Sequence, residues 1–158
     1  MNLVVGVAEM KVSNRATDVI VTYSLGSCVG LTLFDPVRCV GGMIHCMLPL
    51  SNIDPEKAKL KPEMFTDTGV PGLLQMLFSM GAEKKNLVAK VAGAANLLDA
   101  QNIFRIGERN YNVLKKLLEK NGIPIAGEDV GGTVARTIYL NMTTGQTTLK
   151  CCGKEMQL

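Results

Sequence analysis

Apolar and polar positions alternate along this chain in short runs that predict many strands and two helices. Leu3 to Val12 reads as one strand, apolar at first and alternating later, followed by a polar connection from Ser13 to Asp18. Val19-Ile20-Val21 is a β-branched run of the kind that forms a buried strand; Ser24, Gly26 and Ser27 then interrupt it. Val29 to Phe34 and Cys39 to Met47 are two further strand-like runs. Asp35-Pro36-Val37-Arg38 joins them as a turn, with proline and aspartate in favoured turn positions. Ser51 to Asp67 is polar and carries Pro55 and Pro62, which predicts a long loop placed to cover a site. From Thr68 to Met80 the residues Val70, Leu73, Leu74, Leu77 and Met80 recur at helical spacing, with Pro71 read in the first turn and Gly81 at the stop.

A strand from Asn86 to Gly93 runs into the small residues Gly93-Ala94-Ala95, which imply close backbone approach to a ligand or to packed neighbours. Gly107 to Lys120 is the second helix, with Tyr111, Leu114, Leu117 and Leu118 as its apolar stripe and Asn121-Gly122 at its end. Ile123 to Val130 is a strand, and Gly131-Gly132 a tight turn. Thr133–Met142 and Thr147–Cys152 then pair as a hairpin around residues 143–146. Strands in hairpins with two main helices predict an α+β layered sandwich with mixed, largely antiparallel sheets. A length of 158 residues fits one domain, 1–158.

Composition narrows the function classes. Hydrophobic residues make up 47% and charged residues 20%, a globular balance, and the net charge of +3 is spread out rather than gathered in a stripe. Nucleic-acid binding is therefore not expected. The first residues lack the pattern of a secretory signal, and no apolar stretch approaches the ~20 residues that span a bilayer, so no membrane insertion is expected. Five cysteines without disulfide spacing fit a reducing, cytoplasmic setting. Cys39, His45, Cys46, Cys151 and Cys152 have no zinc-ligand spacing, and no glycine-rich run carries a P-loop lysine, so neither a metal nor a cofactor is expected.

The chemistry concentrates at Cys28 and at His45, the only histidine. If Asp35 and Arg38 close a four-residue turn, Cys28 lies directly opposite His45, with Cβ atoms roughly 4.5–5.5 Å apart. A slip of one residue would send the two side chains to opposite faces. Such a pair can form a thiolate–imidazolium ion pair and act as a nucleophile with its acid–base partner. Thr22, read on a neighbouring strand, can orient the imidazole, and backbone N–H groups around Gly26, Ser27 and Cys28 can form an oxyanion hole. Spacing alone leaves the plain alternatives open: a buried cysteine acting as a small hydrophobe, and a histidine acting as a satisfied core polar group.

The chain also resembles the CheD family of chemoreceptor glutamine deamidases. The matching segments are Leu25-Gly26-Ser27-Cys28-Val29, His45-Cys46-Met47-Leu48-Pro49, Ile106-Gly107-Glu108-Arg109-Asn110, Glu128-Asp129-Val130-Gly131-Gly132 with Arg136, and Thr144-Gly145, in the family's order over nearly the whole chain. Gly93-Ala94-Ala95-Asn96 carries one glycine fewer than the family pattern. The resemblance implies a cysteine-dependent amidohydrolase that converts glutamines on the cytoplasmic helices of chemotaxis receptors to glutamate. By motif position the nucleophile falls on Cys28, the histidine on His45 and the threonine on Thr22. It further implies an α/β layered sandwich, binding to a CheC-type phosphatase, and in some members hydrolysis of receptor methyl esters. A binding module that regulates such a phosphatase, with the cysteine incidental, is the alternative function.

Overall fold

A computed structural model of the chain describes residues 1–96 and 105–158. Among these residues, ten strands form two five-stranded sheets. The first contains β1 (Asn2–Val4), β3 (Val19–Leu25), β8 (Arg136–Asn141), β9 (Thr147–Cys151) and β10 (Lys154–Gln157), neighbours in that order. The second is ordered β2 (Glu9–Ser13), β5 (Val40–Cys46), β4 (Val29–Asp35), β6 (Val88–Gly93), β7 (Ile125–Val130). Pairings are antiparallel except β1–β3 and β6–β7, so the fold is α+β with mixed, largely antiparallel sheets.

Two cores make three layers. Ile20 and Leu25 of the first sheet meet Phe34 and Met43 of the second, together with Ile138, Leu140 and Leu149. On the other face of the second sheet, Val29, Leu31, Leu33, Ile44 and Cys46 pack against Val70, Leu73 and Leu77 of α2 (Thr66–Ser79) and Leu114 and Leu118 of α3 (Ile106–Lys120). Every residue of β4 and β5 is therefore buried, which is why both read as continuous apolar runs rather than as alternation.

The structure departs from the sequence reading at several places. The strand read over 3–12 is two strands in different sheets, joined by a crossover in which Ala8 takes φ 60°. Val5 N–H bonds Val21 O in one sheet at 2.8 Å, and Ala8 N–H bonds His45 O in the other at 2.9 Å. The loop read over 51–67 contains α1 (Pro55–Leu60) between two single turns of tighter helix; Asp54 caps α1 by accepting from Lys57 N–H, and Pro55 begins it. Pro71 lies inside α2 rather than in its first turn. A further strand, β10, follows the left-handed pair Cys152 (φ 56°) and Gly153 (φ 75°), the geometry of a two-residue hairpin turn.

The decisive correction is the β4–β5 register. The buried Asp35 carboxylate accepts from the N–H groups of Val37 and Arg38, and also from Glu83 N–H and the Asn86 side chain. With Cys39 at φ 56°, the closing pair becomes Asp35 and Val40 rather than Asp35 and Arg38. His45 then faces Gly30, and Cys28 falls one diagonal step away. The change is an even number of residues, so Cys28 and His45 keep the same face.

Candidate active site

Cys28 sits half-buried just ahead of β4; His45 lies near the end of β5 with 1% of its surface exposed. Both belong to the face that looks toward the first sheet. Thr22, read on a neighbouring strand, lies on β3 of the facing sheet. It reaches His45 across the interior. Thr22 Oγ1 lies 2.6 Å from His45 Nδ1 and donates its own proton to Val5 O at 2.7 Å.

That geometry fixes the tautomer. A hydroxyl has one proton, and the Val5 carbonyl can only accept, so toward the imidazole Thr22 must accept. Nδ1 therefore carries the ring proton and Nε2 the lone pair. Nε2 is buried and has no hydrogen-bond partner among the described residues. Cys28 makes no hydrogen bond to His45 in this arrangement, and the Nε2 lone pair is left without a partner among the described residues.

Burial also sets the charge states. Desolvation pushes the Cys28 thiol above its ordinary value, against a smaller opposing effect from its own N–H. Desolvation lowers His45 to about 4. At rest both groups are neutral, a thiol and an imidazole, rather than the thiolate–imidazolium pair that such residues can form. A stability consequence follows. The unfolded chain takes up a proton near pH 6.5 that the folded chain refuses until about 4. His45 thus carries no penalty above pH 6.5, and stability is lost as pH falls from there toward 4, by about 3 kcal/mol in all. Urea unfolding at pH 7 and pH 4, with His45→Asn as the reference, checks this; the variant should lose that share of the acid sensitivity.

The loop ahead of Cys28 is held by its carbonyls. Gly26 O accepts from Ala95 N–H at 2.8 Å, Cys28 O from Ala94 N–H at 2.8 Å, and Ser27 O from Asn110 Nδ2 at 3.0 Å. The N–H groups of residues 26–28 donate to no other described residue, which leaves them available to an incoming oxygen. The left-handed residue of this stretch is Ser24 (φ 56°), not Gly26.

The small-residue run explains itself here. Gly93 has φ 100°, and a Cβ on it would lie 2.4 Å from Cys28 O; Ala94 is held at φ 54°. A Cβ on Gly107 would similarly meet the carbonyls of Ala94 and Ala95 at 2.6 Å. Buried Arg136 ties the group together, donating to Gly93 O at 3.1 Å and pairing with Asp129 at 3.0 Å. Gly93→Ala should cost at least about 3 kcal/mol, from the strained backbone and the forced contact together. A thermal or urea unfolding curve against the wild type measures it.

The remaining thiols are placed apart from this chemistry. Cys46 faces the helices and burial drives it up to about 12; Cys39 and Cys152 are exposed. Cys151 and Cys152 are adjacent at the β9–β10 turn, with sulfurs 3.2 Å apart.

The family model described as CheD chemotactic sensory transduction matches residues 47–151. A relative from Solibacter usitatus, named probable chemoreceptor glutamine deamidase CheD, is 46% identical over 99% of this chain and 92% of its own length. The chain belongs to the CheD family. A second CheD relative, from Syntrophus aciditrophicus and named probable chemoreceptor glutamine deamidase CheD 1, is 44% identical over 96% of this chain and 95% of its own. A third, from Caldanaerobacter subterraneus, is 41% identical over 94% of this chain and 92% of its own. Both the CheD motif around Cys28 and the one around His45 fall within what the near full-length relatives span.

Asn110 and Arg136 belong to quoted CheD motif segments, yet the residues alone assign them no role. A polar residue on the apolar stripe of a helix is the one available signal for Asn110. For Arg136 only burial reveals that it is not a surface cation.

Proposed function

We propose that this CheD protein deamidates glutamine side chains of chemoreceptors through a thioester on Cys28. The observation that carries the reading is the Thr22–His45 hydrogen bond, which leaves the unpartnered Nε2 lone pair on the face His45 shares with Cys28. As Cys28 Sγ attacks the carboxamide carbon, Nε2 takes the thiol proton, so no standing thiolate is needed. The negative oxygen of the tetrahedral species is received by N–H groups of residues 26–28. The imidazolium returns its proton to the departing ammonia. Water, deprotonated by Nε2, then cleaves the thioester, leaving glutamate and the free thiol. Glutamine and water give glutamate and ammonia, and the enzyme is unchanged.

A methyl ester would pass through the same thioester with methanol leaving, so ester hydrolysis is within reach of the same groups. A CheC-type phosphatase is the protein partner this reading includes, alongside the cytoplasmic helices of the receptors as substrate. No helix among the described residues is long and apolar enough to cross a membrane.

The test is intact mass spectrometry of a receptor cytoplasmic fragment. Each conversion should add about one dalton, NH₂ being exchanged for OH through the acyl-enzyme, with the backbone whole. Shortened fragments would indicate a peptidase, and an unchanged mass beside retained phosphatase binding would favour a binding module.

A further inference from the structure

The apolar stripe of α3 contains one residue that does not belong there by packing. Gly107, Asn110, Leu114 and Leu118 are its buried positions, and Asn110 is fully buried. Asparagine is a poor helix former, and a buried amide must be bonded. Its bonds go to one place. Nδ2 gives one hydrogen to Ser27 O at 3.0 Å and the other to Met47 O at 3.1 Å, while Oδ1 accepts from Thr66 Oγ1 at 3.4 Å. Two carbonyls beside Nδ2 fix the orientation, since a flipped amide would set oxygen against oxygen.

The position of those carbonyls gives the amide its meaning. The β4–β5 ladder ends at the pair Val29 and Cys46. Ser27 and Met47 lie just beyond it, one residue before Cys28 and two after His45. There the chains separate, because Met47 N–H and Leu48 N–H turn to Met64 O at 2.9 and 3.0 Å. The sheet itself stops short of the residue that carries the sulfur. Asn110 occupies the place of the next cross-strand bonds and ties both loose ends to a helix. We infer that Asn110 is a positioning residue, which fixes the Cys28 loop against the His45 strand by clamping the carbonyls of Ser27 and Met47.

The inference rests on the deamidase reading and is tested beside it. Deamidation of a receptor fragment is measured for wild type, Cys28→Ala, Asn110→Leu and Asn110→Asp, with a melting curve for each. Leucine continues the apolar stripe, so Asn110→Leu should stay folded. Its kcat should fall about a hundredfold, the order of loss for a catalytic group displaced by about an ångström, while KM stays near wild type. Should the leucine variant fail to fold, Asn110→Asp decides: a protonated carboxyl still donates one hydrogen bond and a carboxylate none. Its kcat should therefore fall with rising pH where wild-type kcat does not. A folded Asn110→Leu with wild-type kcat, or an Asn110→Asp with wild-type rate and pH profile, overturns the clamp. If Cys28→Ala keeps full activity, the deamidase reading itself fails, and that outcome is read separately.

Discussion

Cys28→Ala should remove receptor deamidation, lowering the rate by roughly 10⁴-fold or more, the order seen when a nucleophile that works as a unit with its base is deleted. The reason lies in where the five thiols sit. Cys46 is sealed on the helix side of its sheet and pushed up to about 12, so it cannot stand in for the missing sulfur. Cys39 lies within the β4–β5 turn, far along the hairpin from the ladder end at Val29, and Cys151 and Cys152 sit together at the β9–β10 turn. Cys39→Ser and Cys152→Ser should therefore leave turnover as it is. The fold should survive Cys28→Ala, because the loop is held through the carbonyl of residue 28 and not through its side chain. A folded, inactive variant is the expected outcome, read as the absence of the mass gain on the receptor fragment.

His45→Asn should lower kcat by roughly 10²- to 10⁴-fold, the range for losing a positioned general base. The pH profile carries more information than the size of the loss. With His45 at about 4, the base is unprotonated throughout the neutral range and is lost only when pH falls through that value. Wild-type kcat/KM should hold level down to about pH 5 and then drop. An ordinary imidazole would place that fall near 6.5. The residual activity of His45→Asn should lack the limb altogether. Initial-rate measurements between pH 4 and 8 make the comparison, provided the protein is confirmed folded at each point, since His45 also draws stability down over part of the same interval.

Parity rather than exact register made Cys28 and His45 legible in the sequence. The sequence predicts a turn two residues too short, because nothing in Asp35-Pro36-Val37-Arg38-Cys39 announces that Cys39 takes a left-handed conformation or that Asp35 is buried as the organiser of four hydrogen bonds. Moving the pairing by an even step preserved the face, so the two residues still meet on one side. The helices were legible because their apolar stripes run for three turns or more. The break at Val5–Ala8 was not, because a strand that leaves one sheet for another keeps its apolar character throughout. The short helix α1 was masked by its prolines, although Asp54-Pro55 is a start signal. Thr22 is legible as a neighbouring-strand hydroxyl and from motif position, but its route to His45, across the interior from the facing sheet, needs the layers. Asn110 and Arg136 act through carbonyls of distant loops, and no periodicity encodes that.

The proposed chemistry turns on the protonation of a single ring, and the chain has a single histidine. Nitrogen-15 NMR of protein labelled at histidine therefore yields one imidazole to assign. At pH 7 it should show Nδ1 protonated and Nε2 bare, and it should stay neutral until the pH approaches about 4. A proton on Nε2 with Nδ1 bare, or an imidazolium already formed at neutral pH, would contradict it.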